Sequence, residues 1–127
     1  MGSNGTRRGL TACSLLELLR GRPFARQRWD AVCGDHLHIR IGNCRTRTQR
    51  RDALDALERF CASTRTMAFG FLQAWCDRET IVLETDVVAQ GAAPAGQAIP
   101  CVVIARTVDG LLVDLRLYCD LGSAPRS

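Results

Sequence analysis

Leu115-Arg116-Leu117-Tyr118-Cys119-Asp120-Leu121 ends a run of three strand-like segments and decides how the rest of the chain is read. The segments run from Thr80 to Ala89, from Ile99 to Thr107 and from Leu111 to Asp120. Val108-Asp109-Gly110 joins the last two as a hairpin turn, in which glycine supplies a positive φ that other residues resist. Leu111, Val113, Leu115, Leu117 and Cys119 form an unbroken apolar row, with Asp114, Arg116, Tyr118 and Asp120 between them. The preceding segment, Ile99 to Ala105, is apolar on both faces. One face of such a sheet fills a core, and the other suits contact with a second subunit.

Upstream lies a helix-rich half. Ser14-Leu15-Leu16-Glu17 has the spacing of a capping box, opening a helix that ends near Gly21 with Leu15, Leu16, Leu18 and Leu19 on its apolar face. Pro23 suits the first turn of a second helix that carries Trp29 and Val32 and runs to Gly34. From Asp35 to Ile41 the pattern alternates, placing Leu37, Ile39 and Ile41 on one face and His36, His38 and Arg40 on the other. Leu54, Leu57 and Cys61 then mark a third helix from Arg51 to Ala62. Thr66 to Cys76 returns to strand character, and Asp77-Arg78-Glu79 turns the chain back. Residues 91–96 have no periodicity and read as a loop at a cavity rim. The predicted architecture is α+β: three N-terminal helices against a cone-shaped, curved, mostly antiparallel sheet that encloses an apolar pocket.

The chain has 127 residues, enough for one core, with a single domain expected over 10–122, a disordered leader over 1–9 and a tail over 123–127. No apolar run is long enough to span a bilayer, and the first nine residues are polar and basic, so a cytoplasmic location is expected. Seven cysteines occur without a C-x-x-C pair, which predicts free, mostly buried thiols in a reducing compartment. The net charge of +4 rests on arginine alone. Arg45, Arg47, Arg50 and Arg51 cluster without the aromatic residues of a nucleic-acid reader, so a solvated rim is expected. His36 and His38 share a strand face, but no third ligand stands near them to complete a metal site.

Asp35-His36-Leu37-His38, Arg51-Asp52-Ala53-Leu54, Val108-Asp109-Gly110-Leu111 and Leu117-Tyr118-Cys119-Asp120-Leu121 occur in fixed order. Over roughly Leu15 to Leu121 the chain thereby resembles the nuclear transport factor 2-like superfamily, in its branch of SnoaL-like polyketide cyclases, ketosteroid isomerases and limonene epoxide hydrolases. The resemblance implies a cone with an apolar pocket, commonly dimeric, in a family that includes isomerases, cyclases and hydrolases. The Arg-x-Asp of the epoxide hydrolases corresponds to Glu84-Thr85-Asp86, and their last-strand aspartate to Leu117. The ketosteroid isomerase base falls near Arg40, its tyrosine near Cys13 or Ser14, and its oxyanion aspartic acid near Val102.

What the resemblance implies for strand parity turns His38, Arg40, Glu84 and Asp86 into the cavity, whereas apolar alternation turns Leu37, Ile39 and Ile41 inward. Under the first parity His38, oriented by Asp86, is a general base and Arg40 stabilises an enolate or alkoxide oxygen. The expected pocket wall is Trp29, Glu84, Val102, Ile104, Leu115, Leu117 and Tyr118. Two functions stand side by side. One is a cofactor-independent, metal-free enzyme acting on an apolar carbonyl or epoxide compound by proton transfer. The other is a non-catalytic ligand-binding or protein-interaction module of the same fold. In the second the cavity is only a binding site or is filled by the chain's own side chains; the expected partners are an apolar small molecule and a second copy of the chain, with no nucleic acid and no membrane.

Overall fold

A computed structural model describes residues 9–21, 23–42, 46–63, 67–89 and 98–119. Among these residues lie three helices, α1 (Ala12–Arg20), α2 (Arg26–Val32) and α3 (Arg50–Ser63), and five strands. The strands are β1 (Cys33–Ile41), β2 (Met67–Asp77), β3 (Thr80–Ala89), β4 (Ala98–Val108) and β5 (Leu111–Cys119). They form one curved, open sheet in the order β1-β5-β4-β3-β2. The α+β cone is therefore the fold. Neighbours are antiparallel except β1, which lies parallel to β5. The leader up to residue 8, the loop over 91–96, Arg45, Asp120 and the tail lie outside the described residues.

Thr11, rather than Ser14, caps α1. The Ser14 backbone N–H donates to Thr11 Oγ1 at 3.1 Å, and the Thr11 N–H donates to Ser14 Oγ at 2.8 Å. Serine at the third helical position takes the role usually filled by glutamate, so the box lies three residues upstream of Ser14-x-x-Glu17. α2 also starts later than Pro23 suggests, at Arg26, and gives way at Cys33 to β1. Arg50, the first residue of α3, fastens this corner. Its Nε and Nη2 reach Asp30 Oδ1 at 3.0 and 2.8 Å, and Nη2 also donates to the Asp30 carbonyl at 2.7 Å. Of the remaining basic cluster, Arg47 pairs its backbone with Ile39 and Arg51 is exposed.

The rungs of the sheet show which side chains share a face. Ile39, Leu115, Ala105 and Ile81 form one rung, and Ile41, Leu117, Val103 and Leu83 the next. All but the half-buried Ile41 are at most 5% exposed, beneath helices that bring Leu15, Leu19, Trp29, Leu54 and Leu57 onto the same core. Alternation thus gives the parity of β1: Leu37 and Ile39 are inside, and His36, His38 and Arg40 are exposed. A one-residue slip would put two fully buried aliphatic side chains into water.

The hairpin turn is as expected, with Asp109 at φ 54° and Gly110 at φ 82°. The apolar row of β5 is not. From the turn, Val108 faces Leu111 and Thr107 faces Leu112, but Arg106 faces Asp114. Val113 is the extra residue of a bulge. It moves the buried set to Leu112, Leu115 and Leu117, leaving Leu111 and Val113 only half-buried.

Candidate functional site

The expected catalytic residues all lie on the outward face and do not meet. His38 shares an outward rung with Asp114, Arg106 and Thr80; Arg40 shares one with Arg116, Ile104 and Val82. Asp86, on β3, faces Pro100. Two strands, β5 and β4, separate β1 from β3, so three strand spacings of about 14 Å intervene before the offset along the strands is added. Arg40 Nε donates to the Gly42 carbonyl at 3.4 Å, and no ion pair between Arg40 and Glu84 or Asp86 occurs.

The expected pocket wall divides between the two faces. Trp29, Leu115 and Leu117 are fully buried in the core. Glu84, Val102, Ile104 and Tyr118 belong to outward rungs, with Trp75 opposite Val82 on the same side. Alternation already separates Leu115 and Leu117 from Tyr118, and the strand pairings place Glu84, Val102 and Ile104 with Tyr118 on the outward side.

On the outward face a groove of about 660 Å³ crosses one end of the sheet, bounded by Asp35, His36, His38, the turn from Asp77 to Thr80, Arg106 and Asp114. Acid and base are mixed in it. Arg116 Nε lies 3.0 Å from Asp114 Oδ1 beside it. Among the described residues, no three metal-ligating side chains converge, and no helix is long and apolar enough to cross a membrane.

The inward face has a different chemistry. Its two aliphatic rungs are followed by a polar one, Thr85, Cys101 and Cys119. Thr85 is fully buried and its Oγ1 donates to the Asp86 carbonyl at 3.2 Å. Cys101 is held far above its ordinary pKa, first by its hydrogen bond with Cys119 and then by burial. Burial also pushes the Cys33 thiol up to about 11. No carboxylate, imidazole or guanidinium lies on these inward rungs.

Trp29 stands out within the core. Its ring stacks on Phe24 with centroids 6.1 Å apart and planes 13° from parallel. It is 0% exposed, and its Nε1–H has no hydrogen-bond partner among the described residues. A buried donor left unpaired costs about 1–3 kcal/mol, and a ligand oxygen in reach of it would recover that energy.

The rung pattern, the curvature and the helices packed over the inward face define the class: a nuclear transport factor 2-like α+β fold. The chain is similar over 88% of its length to 90% of a protein from Jannaschia sp. described as a SnoaL-like polyketide cyclase, with a TM-score of 0.72 and 14% identity. It is similar over 88% of its length to 86% of a Catenulispora acidiphila protein with a ketosteroid isomerase-like fold, solved in complex with trimethylamine (TM-score 0.69, 16% identity). A nuclear transport factor 2-like protein of unknown function from Cytophaga hutchinsonii aligns with a TM-score of 0.64 at 14% identity, over 73% of this chain and 83% of that one. No family profile and no curated protein matches the sequence.

Proposed function

We propose that this chain is a small-molecule-binding protein that takes an apolar molecule bearing one hydrogen-bond acceptor, such as a ketone, between the inward face of the sheet and the helices. The observation that carries this reading is Trp29, whose buried Nε1–H lacks an acceptor among the described residues, in a largely apolar core. Leu115 and Leu117 supply apolar wall, and the indole supplies the orienting donor. Binding rather than turnover is favoured, because the inward rungs carry no acid or base to move a proton near neutral pH.

The chain has two tryptophans, so a Trp75→Phe variant leaves Trp29 as its sole indole. Its fluorescence is to be titrated with a medium-chain methyl ketone and with the alkane of equal length. The ketone should change the Trp29 emission at concentrations where the alkane does not. Equal response to both, or to neither, removes the proposed donor role.

The partner that the outward face fits is a second copy of the chain. Trp75, Val82 and Ile104 form an apolar row beside Val102 and Tyr118, with Trp75 47% and Tyr118 38% exposed. Acidic Glu84 and Asp86 stand on β3, and basic Arg40 and Arg116 on β1 and β5. A two-fold axis along β4 would place the acidic side of one copy over the basic side of the other.

A further inference from the structure

Cys101 and Cys119 face one another directly across β4 and β5, on the inward side of the last described rung. Register alone brings them there: without the extra residue at Val113, Cys101 would face Tyr118. We propose that Cys101 and Cys119 are a reversible dithiol–disulfide pair, oxidised by a low-molecular-weight disulfide of the glutathione type. This does not depend on the ligand-binding reading.

Directly opposed residues of an antiparallel pair have Cα atoms about 4.5–5.5 Å apart. That interval lies inside the range of about 4.4–6.8 Å that disulfides span, and opposed side chains leave the sheet on one face. The Cys119 side chain is also the first cause of the upward shift of the Cys101 thiol. Access is unequal. Cys101 is 0% exposed, whereas Cys119 is half-buried at the strand end. The other described cysteines are placed differently: Cys33 and Cys61 are buried on β1 and α3, and Cys13 and Cys76 are exposed on α1 and β2.

The reaction has two steps. Cys119, as thiolate, attacks one sulfur of oxidised glutathione, breaking its S–S bond and expelling one glutathione thiolate, which takes up a proton. Cys101 then loses its proton and attacks Cys119 Sγ, expelling the second glutathione. Two protein thiols and one oxidised glutathione become one protein disulfide and two reduced glutathiones. The product ties β4 to β5 and removes both thiols from the polar rung. Because folding brings the sulfurs together, the folded chain should favour the disulfide over the unfolded one.

The test uses the full chain carrying Cys13→Ser and Cys76→Ser, which removes exposed thiols that would cross-link copies. It is equilibrated with glutathione at graded ratios, with and without urea, then blocked with N-ethylmaleimide and digested with trypsin. Cleavage after Arg106 and Arg116 puts the two cysteines on separate peptides, so a linked pair is diagnostic. The native chain should form it at a ratio at least about tenfold less oxidising than the urea-unfolded chain does. Adding Cys101→Ser should leave Cys119 as a lasting mixed disulfide with glutathione, while adding Cys119→Ser should leave Cys101 unmodified. No linked peptide at any ratio, or the same midpoint in urea, overturns the proposal.

Discussion

His38 and Asp86 leave the sheet on the same outward face, from strands separated by β5 and β4. No side-chain movement spans that gap, so an aspartate-oriented imidazole cannot be assembled from this pair within one copy. His38→Ala and Asp86→Ala should each leave ketone binding unchanged and stability within about 0.5 kcal/mol of the parent. Fluorescence titration and urea unfolding check both. A tenfold loss of affinity in either variant would return the outward face to consideration as the ligand site.

Trp29 separates packing from hydrogen bonding. Trp29→Phe retains a ring against Phe24 and deletes the orphaned N–H, so stability should hold or rise by up to about 1 kcal/mol while ketone affinity drops. Trp29→Ala should cost about 3–5 kcal/mol through the cavity it opens. Binding of the ketone to Trp29→Phe, read by calorimetry because the reporter is gone, should be weaker. Undiminished affinity would show that the ligand does not use the indole.

Self-association should follow charge. Glu84→Arg places a cation where the proposed two-fold face needs an acid, and should shift the chain toward monomer in sedimentation equilibrium. Combining it with Arg116→Glu should restore the larger species. A parent chain that is monomeric at all concentrations would rule out this use of the outward face.

Acid sensitivity has a defined origin on the surface between α2 and α3. Arg26 Nη1 lies 2.7 Å from Asp55 Oδ1 and 3.0 Å from Glu58 Oε1. The hydrogen bond from Arg26 holds the Asp55 carboxyl below its ordinary value. The folded state therefore binds that proton less readily than the unfolded state. The pair's stabilisation is complete above the ordinary carboxylate pKa and is lost as pH falls through the lower, folded value. The Tm difference between the parent and Asp55→Asn should thus narrow as pH falls below about 4. A difference that is constant with pH would contradict the assignment.

The β4–β5 turn tolerates little change. Gly110 adopts φ 82°, and a Cβ there would stand 3.0 Å from the Gly9 Cα, beside the bond from the Leu10 N–H to the Gly110 carbonyl. Gly110→Ala should cost at least about 1 kcal/mol in urea unfolding. An unaltered midpoint would mean that the N-terminal segment shifts freely.

Much of the fold is legible in the sequence because its cause is local. The alternation of Leu37 and Ile39 with His38 and Arg40 reports burial directly, and Asp109-Gly110 reports its own turn. Parity carried over from distant relatives does not transfer to β1, since the face a side chain takes is set by the rung it joins. The thiol pair is hidden for a related reason. Counting back from the turn puts Tyr118 against Cys101, and a single unpaired residue, Val113, changes the answer. Trp29 is visible as a core aromatic, but its missing acceptor emerges only when every neighbour is in place.

The parallel pairing of β1 with β5 also dictates an order of events during synthesis. β2, β3 and β4 can zip by successive hairpins as they emerge, each against the strand just made. β1 is among the first elements translated, yet its partners in the sheet, Leu112 to Leu117, come from the last strand. Until β5 is made, Ile39 has only its bridge to Arg47, and the strand has no sheet to join. A ribosome that stalls within β5 would hold a nascent chain whose earliest strand still lacks its sheet, an edge open to another nascent copy.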